Sequence, residues 1–180
     1  MFTDFDFSAL DDPTFKEDAV REEIIAPILR RAGYTPTGSM RVQRSKPLTH
    51  PFVMIGSKKH PVSVIPDYTL FHDDRALMIL DAKKPSEEIV NSIHVEQAYS
   101  YAIHPEVRCQ IYGLCNGRHL SFFNIGRSEG SGRHVLSPVL STHDGRILNL
   151  QTRVRSPVAL PNLYICIVYN MLACFSETIY

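Results

Sequence analysis

The sequence predicts an α/β fold, a mixed β-sheet flanked by helices, on three observations. Apolar residues recur at helical spacing near the start. Short runs rich in Val, Ile and Leu, bounded by turn residues, follow as strand candidates. A second helical stretch then divides one pair of runs from the next, an order that suits helices packed on a sheet with strands in both directions.

The chain has 180 residues, 44% of them hydrophobic and 21% charged. That is enough for one domain burying roughly 70% of its unfolded surface. The expected domain covers residues 1–180, with a core at about 14–125 and a C-terminal extension at 126–180 that carries little pattern. Nineteen basic residues balance nineteen acidic ones, so no global charge advertises an acidic partner and any nucleic-acid contact must be local. The first ten residues hold Asp4 and Asp6 and no basic residue, the wrong composition for a leader, and a cytoplasmic protein is expected. The most apolar stretch, residues 163–175, is too short to cross a bilayer, which takes about 20 residues. Membrane partners are therefore not expected. Cys109, Cys115, Cys166 and Cys174 form no CxxC pair and have no regular spacing to histidines, so they read as buried free thiols.

A first helix is expected over residues 14–32, with Val20, Ile24, Ile28 and Ala32 on one face. Thr14 and Glu17 have capping-box spacing, Pro27 should kink the helix, and Gly33 should close it. Residues 40–60 mix Arg41, Arg44, Lys46, Lys58 and Lys59 with prolines and glycine and read as a basic loop with a short strand near 41–43. Runs 62–71 and 76–82 read as a hairpin turning at Asp73 and Asp74. Pro85 and Ser86 should open a second helix, capped by Ser86 and ending near His104. Runs 108–114 and 119–125 follow, joined at Asn116-Gly117, a turn-forming pair. Beyond Gly126, residues 135–140 suggest one more strand, and Pro157 and Pro161 interrupt the remainder.

The chemistry-bearing residues cluster on the first hairpin. Folding it at Asp73-Asp74 sets residue 67 across from residue 80 with a two-residue turn, or across from residue 81 with one extra residue in the loop. Asp67 and Asp81 should therefore converge. Alternation along the strand turns Asp81 and Lys83 to one face and leaves the Ala82 carbonyl as a further oxygen ligand. Two carboxylates and a carbonyl suit Mg2+, with Mn2+ as a substitute, and a lysine beside a bound water could position or deprotonate it for attack on a phosphodiester. Two adjacent aspartates would repel without a cation or proton between them.

Pro66-Asp67 followed by Asp81-x-Lys83 resembles the PD-(D/E)xK nuclease signature. Upstream, Glu17-Asp18-Ala19-Val20-Arg21 with Ile25-Ala26-Pro27 is similar to the opening helix of the nuclease domain of type I restriction HsdR subunits. Downstream, Gln97 and Tyr101, four residues apart on one helical face, are similar to that family's QxxxY element. The resemblance covers about residues 14–123. It implies a restriction-endonuclease-like core and a magnesium-dependent DNA endonuclease of a restriction-modification system. It also implies that Asp67, Asp81 and Glu17 bind the metal, beside the Ala82 carbonyl that strand alternation offers, that Lys83 serves the attacking water, and that Gln97 and Tyr101 line the site near the DNA. Glu17 could equally be the partner of a Thr14 cap. The chain has no GxxxxGK[ST] loop, so it is no motor by itself. Specificity, methylation or motor subunits would be its partners besides DNA. The competing expectation is a catalytically inactive nuclease-fold module for DNA binding or assembly.

Overall fold

The computed structural model describes residues 5–125 and the strand Pro138–Ser141. The expectations for Pro157, Pro161, Cys166, Cys174 and the apolar stretch 163–175 lie outside those residues.

The fold is mixed α/β. Strands β1 (Met40–Arg44), β4 (Tyr68–His72), β5 (Arg75–Ala82), β6 (Ile111–Cys115), β7 (Leu120–Asn124) and β8 (Pro138–Ser141) form one sheet in the order β1-β4-β5-β6-β7-β8. Among these described strands β5 and β6 pair in parallel, and the other neighbours pair antiparallel. A parallel pair needs a crossover, and residues 83–110 supply it with the helix Ile93–Ala102. Strands β2 (Leu48–Ile55) and β3 (Lys58–Val64) make a separate two-stranded ribbon.

The central strands β5 and β6 are buried on both faces, as strands sandwiched between two layers must be. Alternation sorts their side chains. Met78, Leu80 and Ala82 join Val20, Ile24, Ile28 and Leu29 of the opening helix, while Ile79, Tyr112 and Leu114 join Val95, Ala98 and Tyr101 of the crossover helix. Gly113 lies between Leu80 and Phe122 in the ladder, and a Cβ there would stand 2.8 Å from the Phe122 ring.

The opening helix departs from expectation at both its start and its middle. It begins at Glu17 after Lys16, with no side-chain cap. Thr14 instead donates through its amide and hydroxyl to the Asp12 carboxylate, each at 2.7 Å, so the capping-box reading of Thr14 and Glu17 is overturned. The residues Val20–Ile25 wind as one wider π-helical stretch, closed by the Ala26 amide donating to the Arg21 carbonyl five residues back. Pro27 has no amide, and its ring crowds the carbonyl four residues before it. The wider turn relieves that crowding. The far end is as expected: Gly33 takes φ +89, with Gly33 N donating to Arg30 O at 3.1 Å and Tyr34 N to Leu29 O at 2.9 Å.

Three further boundaries differ. Residues 62–71, read as one strand, are the end of β3, a corner at Ile65–Asp67, and then β4. The basic segment read as a loop is β1 followed by the β2/β3 ribbon; its prolines 51 and 61 fall where the pairing shifts between His50 and Val53, the kind of place where strands tolerate proline. The crossover helix starts at Ile93 after Ser92, not at Ser86.

Candidate active site

The β4/β5 turn decides where the aspartates meet. Asp73 and Asp74 both have positive φ, +46 and +63, the geometry of a tight two-residue hairpin. His72 pairs with Arg75 and Phe71 with Ala76, but Leu70 pairs with Met78, so one extra residue enters β5 at Leu77. The register then runs Tyr68 against Leu80, and its continuation sets Asp67 against Asp81. The extra residue lies in the strand and not in the loop.

Asp67 and Asp81 are 8% and 3% exposed, Lys83 is 6% exposed, and all three are bound to one another or to the adjoining backbone. The Asp67 amide donates to Asp81 Oδ1 at 3.2 Å, and the Ala82 amide donates to Asp67 Oδ2 at 2.7 Å. Lys83 Nζ donates to Asp81 Oδ2 at 2.6 Å, which requires Asp81 and Lys83 to share a face of the strand. The Lys83 amide donates to Cys115 O at 2.8 Å, tying the lysine's backbone to the end of β6. Cys109 and Cys115 are buried and free.

Electrostatics follow from this burial. Removal from water and the neighbouring Asp81 push the Asp67 carboxyl up to about 6, against the Ala82 amide and Arg21, which favour its charge. Burial alone would lower Lys83, but Asp81 outweighs it, with Glu17 and Asp67 adding to the effect, so the ammonium is held above its ordinary range. Glu17 is half-buried and faces the same cluster. Its carboxyl is raised, first by burial and then by Asp81 and Glu87, while Lys83 and Arg21 act in the other direction.

The crossover helix brings up Tyr101, a buried residue whose hydroxyl is raised by burial and by Asp81. Gln97 Nε2 donates to Tyr101 Oη at 2.7 Å, leaving the phenolic proton for another acceptor. Gln97 thus reaches the cluster through Tyr101. Hydrogen bonds join Asp67, Asp81 and Lys83 with the Ala82 amide, whereas Glu17 and Tyr101 feel the cluster through its charge and Gln97 bonds only to Tyr101.

Arg21 is the site residue that sequence reasoning missed. Its Nε lies 3.4 Å from Asp67 Oδ1, and its terminal nitrogens reach Asp18 at 3.2 Å and Ser45 Oγ at 2.6 Å. Its carbonyl accepts from Tyr68 Oη at 2.9 Å. The available signal was its spacing of four from Glu17, which puts both on one side of a helix.

Among the described residues, no three His, Cys, Asp or Glu side chains are grouped tightly enough to enclose a metal ion. The donor set nevertheless fits a hard cation. Asp67 and Asp81 are buried side by side, Asp67 raised first by burial and then by Asp81, and adjacent carboxylates are the oxygen donors such a cation takes. No family model matches the chain, and no match was found among curated proteins or solved structures.

Proposed function

We propose that this chain is a metal-dependent nuclease of the PD-(D/E)xK type, with a restriction-endonuclease-like core, that hydrolyses DNA phosphodiester bonds in restriction or defence. The observation that carries the reading is the buried Asp67–Asp81–Lys83 set: two carboxylates linked through each other's strand, with an ammonium 2.6 Å from one of them. Asp67 and Asp81 would hold Mg2+ or Mn2+, with the Ala82 carbonyl and Glu17 as further oxygen donors and water in the remaining positions. When bound, the ion supplies Lewis acidity and an activated water.

The protein's own groups divide the remaining work. In hydrolysis a water oxygen bonds to phosphorus and gives up a proton to solvent, the bond from phosphorus to the leaving oxygen breaks, and that oxygen takes a proton from solvent in return. Lys83 is held protonated by Asp81, so it is suited to orient the water by donating to it and to neutralise charge developing on the phosphate. It is not suited to be a base while that contact persists. Tyr101, with its proton uncommitted to Gln97, can donate to a phosphate oxygen. Arg21 neutralises Asp67 from the other side.

One observation favours the competing reading, an inactive nuclease-fold module for DNA binding or assembly. Each aspartate already has a cationic neighbour, Lys83 for Asp81 and Arg21 for Asp67, so the cluster is balanced without a metal. Cleavage separates the two readings. Plasmid and linear DNA are incubated with the protein in magnesium, manganese or chelator, alongside Asp81→Ala and Lys83→Ala. Metal-dependent cutting by wild type alone supports the nuclease, and equal cutting by all three proteins, or none by any, sinks it.

A further inference from the structure

The segment between Ser45 and Asp67 leaves the main sheet and returns to it at one point. Ser45 turns out of β1 with φ +46, and its amide donates to the Asp67 carbonyl at 2.9 Å. Both ends of the excursion are therefore pinned at the candidate active site, one of them by a site aspartate.

Between those ends stands the β2/β3 ribbon. Its base is anchored: Leu48 pairs with Val64, Leu48 is buried in the core beside the crossover helix with Val64 packed against it, and the Thr49 amide donates to Glu106 at 3.1 Å. Its tip stands in solvent. From Met54 through His60 every residue is exposed, including Met54 at 50% and Ile55 at 64%. From the Leu48/Val64 pair to the Ile55/Lys58 pair the ribbon extends roughly 20 Å at about 3.3 Å per residue.

Charge along this part of the chain is one-sided. From residue 45 to residue 66 there is no acidic residue, and the basic ones are Lys46, Lys58 and Lys59. Lys46 at the base stands 3.9 Å from Glu106, an exposed pair of little strength. Lys58 and Lys59 adjoin the exposed turn at Gly56-Ser57.

We infer that the β2/β3 ribbon is an arm that lies along duplex DNA, with Lys58 and Lys59 on backbone phosphates and Met54 and Ile55 at its apolar tip. The inference deepens the nuclease reading and rests on it for the choice of DNA. Lysine-phosphate contacts hold a duplex without reading its sequence, and exposed apolar side chains at such a tip are of the kind that wedge against base steps. A two-stranded ribbon is narrow enough to enter a groove. Rooted at Asp67, the arm would hold DNA beside the carboxylates.

Binding of the full chain to a fluorescent 30-base-pair duplex is measured by anisotropy in chelator across a salt series, for wild type, Lys58→Gln/Lys59→Gln and Met54→Ser/Ile55→Ser. The double lysine variant should lower the slope of log affinity against log salt by roughly 1.8, about 0.9 for each phosphate no longer neutralised. The serine variant should weaken binding at unchanged slope. Because the substituted residues are exposed, unfolding midpoints should match wild type. An unchanged slope in the lysine variant overturns the arm. So does absence of duplex binding by wild type, or a self-association that the serine variant abolishes, which would make the tip a contact between copies. Arm-dependent binding without metal-dependent cleavage leaves the arm and overturns the nuclease, whereas cleavage with an unchanged lysine variant does the reverse.

Discussion

Asp67 and Asp81 are joined through backbone as well as side chain: the Asp67 amide donates to the Asp81 carboxylate at 3.2 Å, while the Ala82 amide beside Asp81 returns a bond to the Asp67 carboxylate at 2.7 Å. The relationship is reciprocal, so neither carboxylate can turn away without stranding a buried amide. The pair is thereby held in place before any ligand arrives, and its charge must be met by Lys83 and Arg21.

Removing Lys83 leaves Asp81 buried without its ammonium. Loss of one partner of a buried ion pair costs about 3 to 5 kcal/mol, so Lys83→Met should lose stability on that scale in urea unfolding with chelator at pH 7. Asp81→Asn/Lys83→Met, which removes both charges and keeps an oxygen for the Asp67 amide, should recover much of the loss. A Lys83→Met protein as stable as wild type would show that the ammonium does not carry the carboxylate.

The pH dependence has a definite sign. Asp67 sits at about 6 in the folded protein against 3.8 as its ordinary value, so the folded state holds this proton more tightly than the unfolded one. The contribution of Asp67 to stability is therefore present below about pH 4, is lost as pH rises toward 6, and stays lost above it. In chelator, the unfolding midpoint of wild type relative to Asp67→Asn should fall between pH 4 and 6 and level off by pH 7. Stabilisation by Mg2+ should follow the opposite course, appearing only as Asp67 ionises. A wild-type advantage that grows across that window would contradict the placement of Asp67 beside Asp81.

Arg21 favours the charged form of Asp67 from 3.4 Å. Arg21→Gln should therefore move the Asp67 midpoint upward, seen as an upward shift in the pH at which Mn2+ binding appears by calorimetry. Arg21→Lys should restore part of the difference. An unmoved midpoint would make Arg21 a packing residue only.

Gly113 tests the sheet independently of the site. A Cβ at this position would lie 2.8 and 2.9 Å from two carbons of the Phe122 ring and 3.0 Å from Leu80. Gly113→Ala should cost about 1 to 3 kcal/mol through overpacking, and Gly113→Ala/Phe122→Leu should restore part of it. Calorimetric melting of the two variants provides the measurement.

The local rules were legible where a single element expressed them. Helical periodicity through Val20, Ile24 and Ile28, the Gly33 closure, the Asp73-Asp74 turn and the alternation uniting Asp81 with Lys83 could all be read from residue order. The β2/β3 ribbon could not, because Pro51, Pro61 and Gly56 resemble loop punctuation until the pairing shift and the turn give each a place. The helix start was misread because Thr14 found a nearer acceptor in Asp12, a local competition that spacing alone does not rank.

From the sequence alone came the α/β class, the hairpin carrying Asp67, Asp81 and Lys83, and the expectation that the two aspartates would meet. Only the tertiary structure decided how they meet, because register depends on the extra residue at Leu77 inside β5, and strand pairing, not composition, determines where a bulge falls. The approach of Arg21 was likewise a tertiary matter. It depends on the π-helical turn before Pro27 and on the packing of that helix against β4 and β5, which bring a residue forty-six positions earlier in the chain to Asp67.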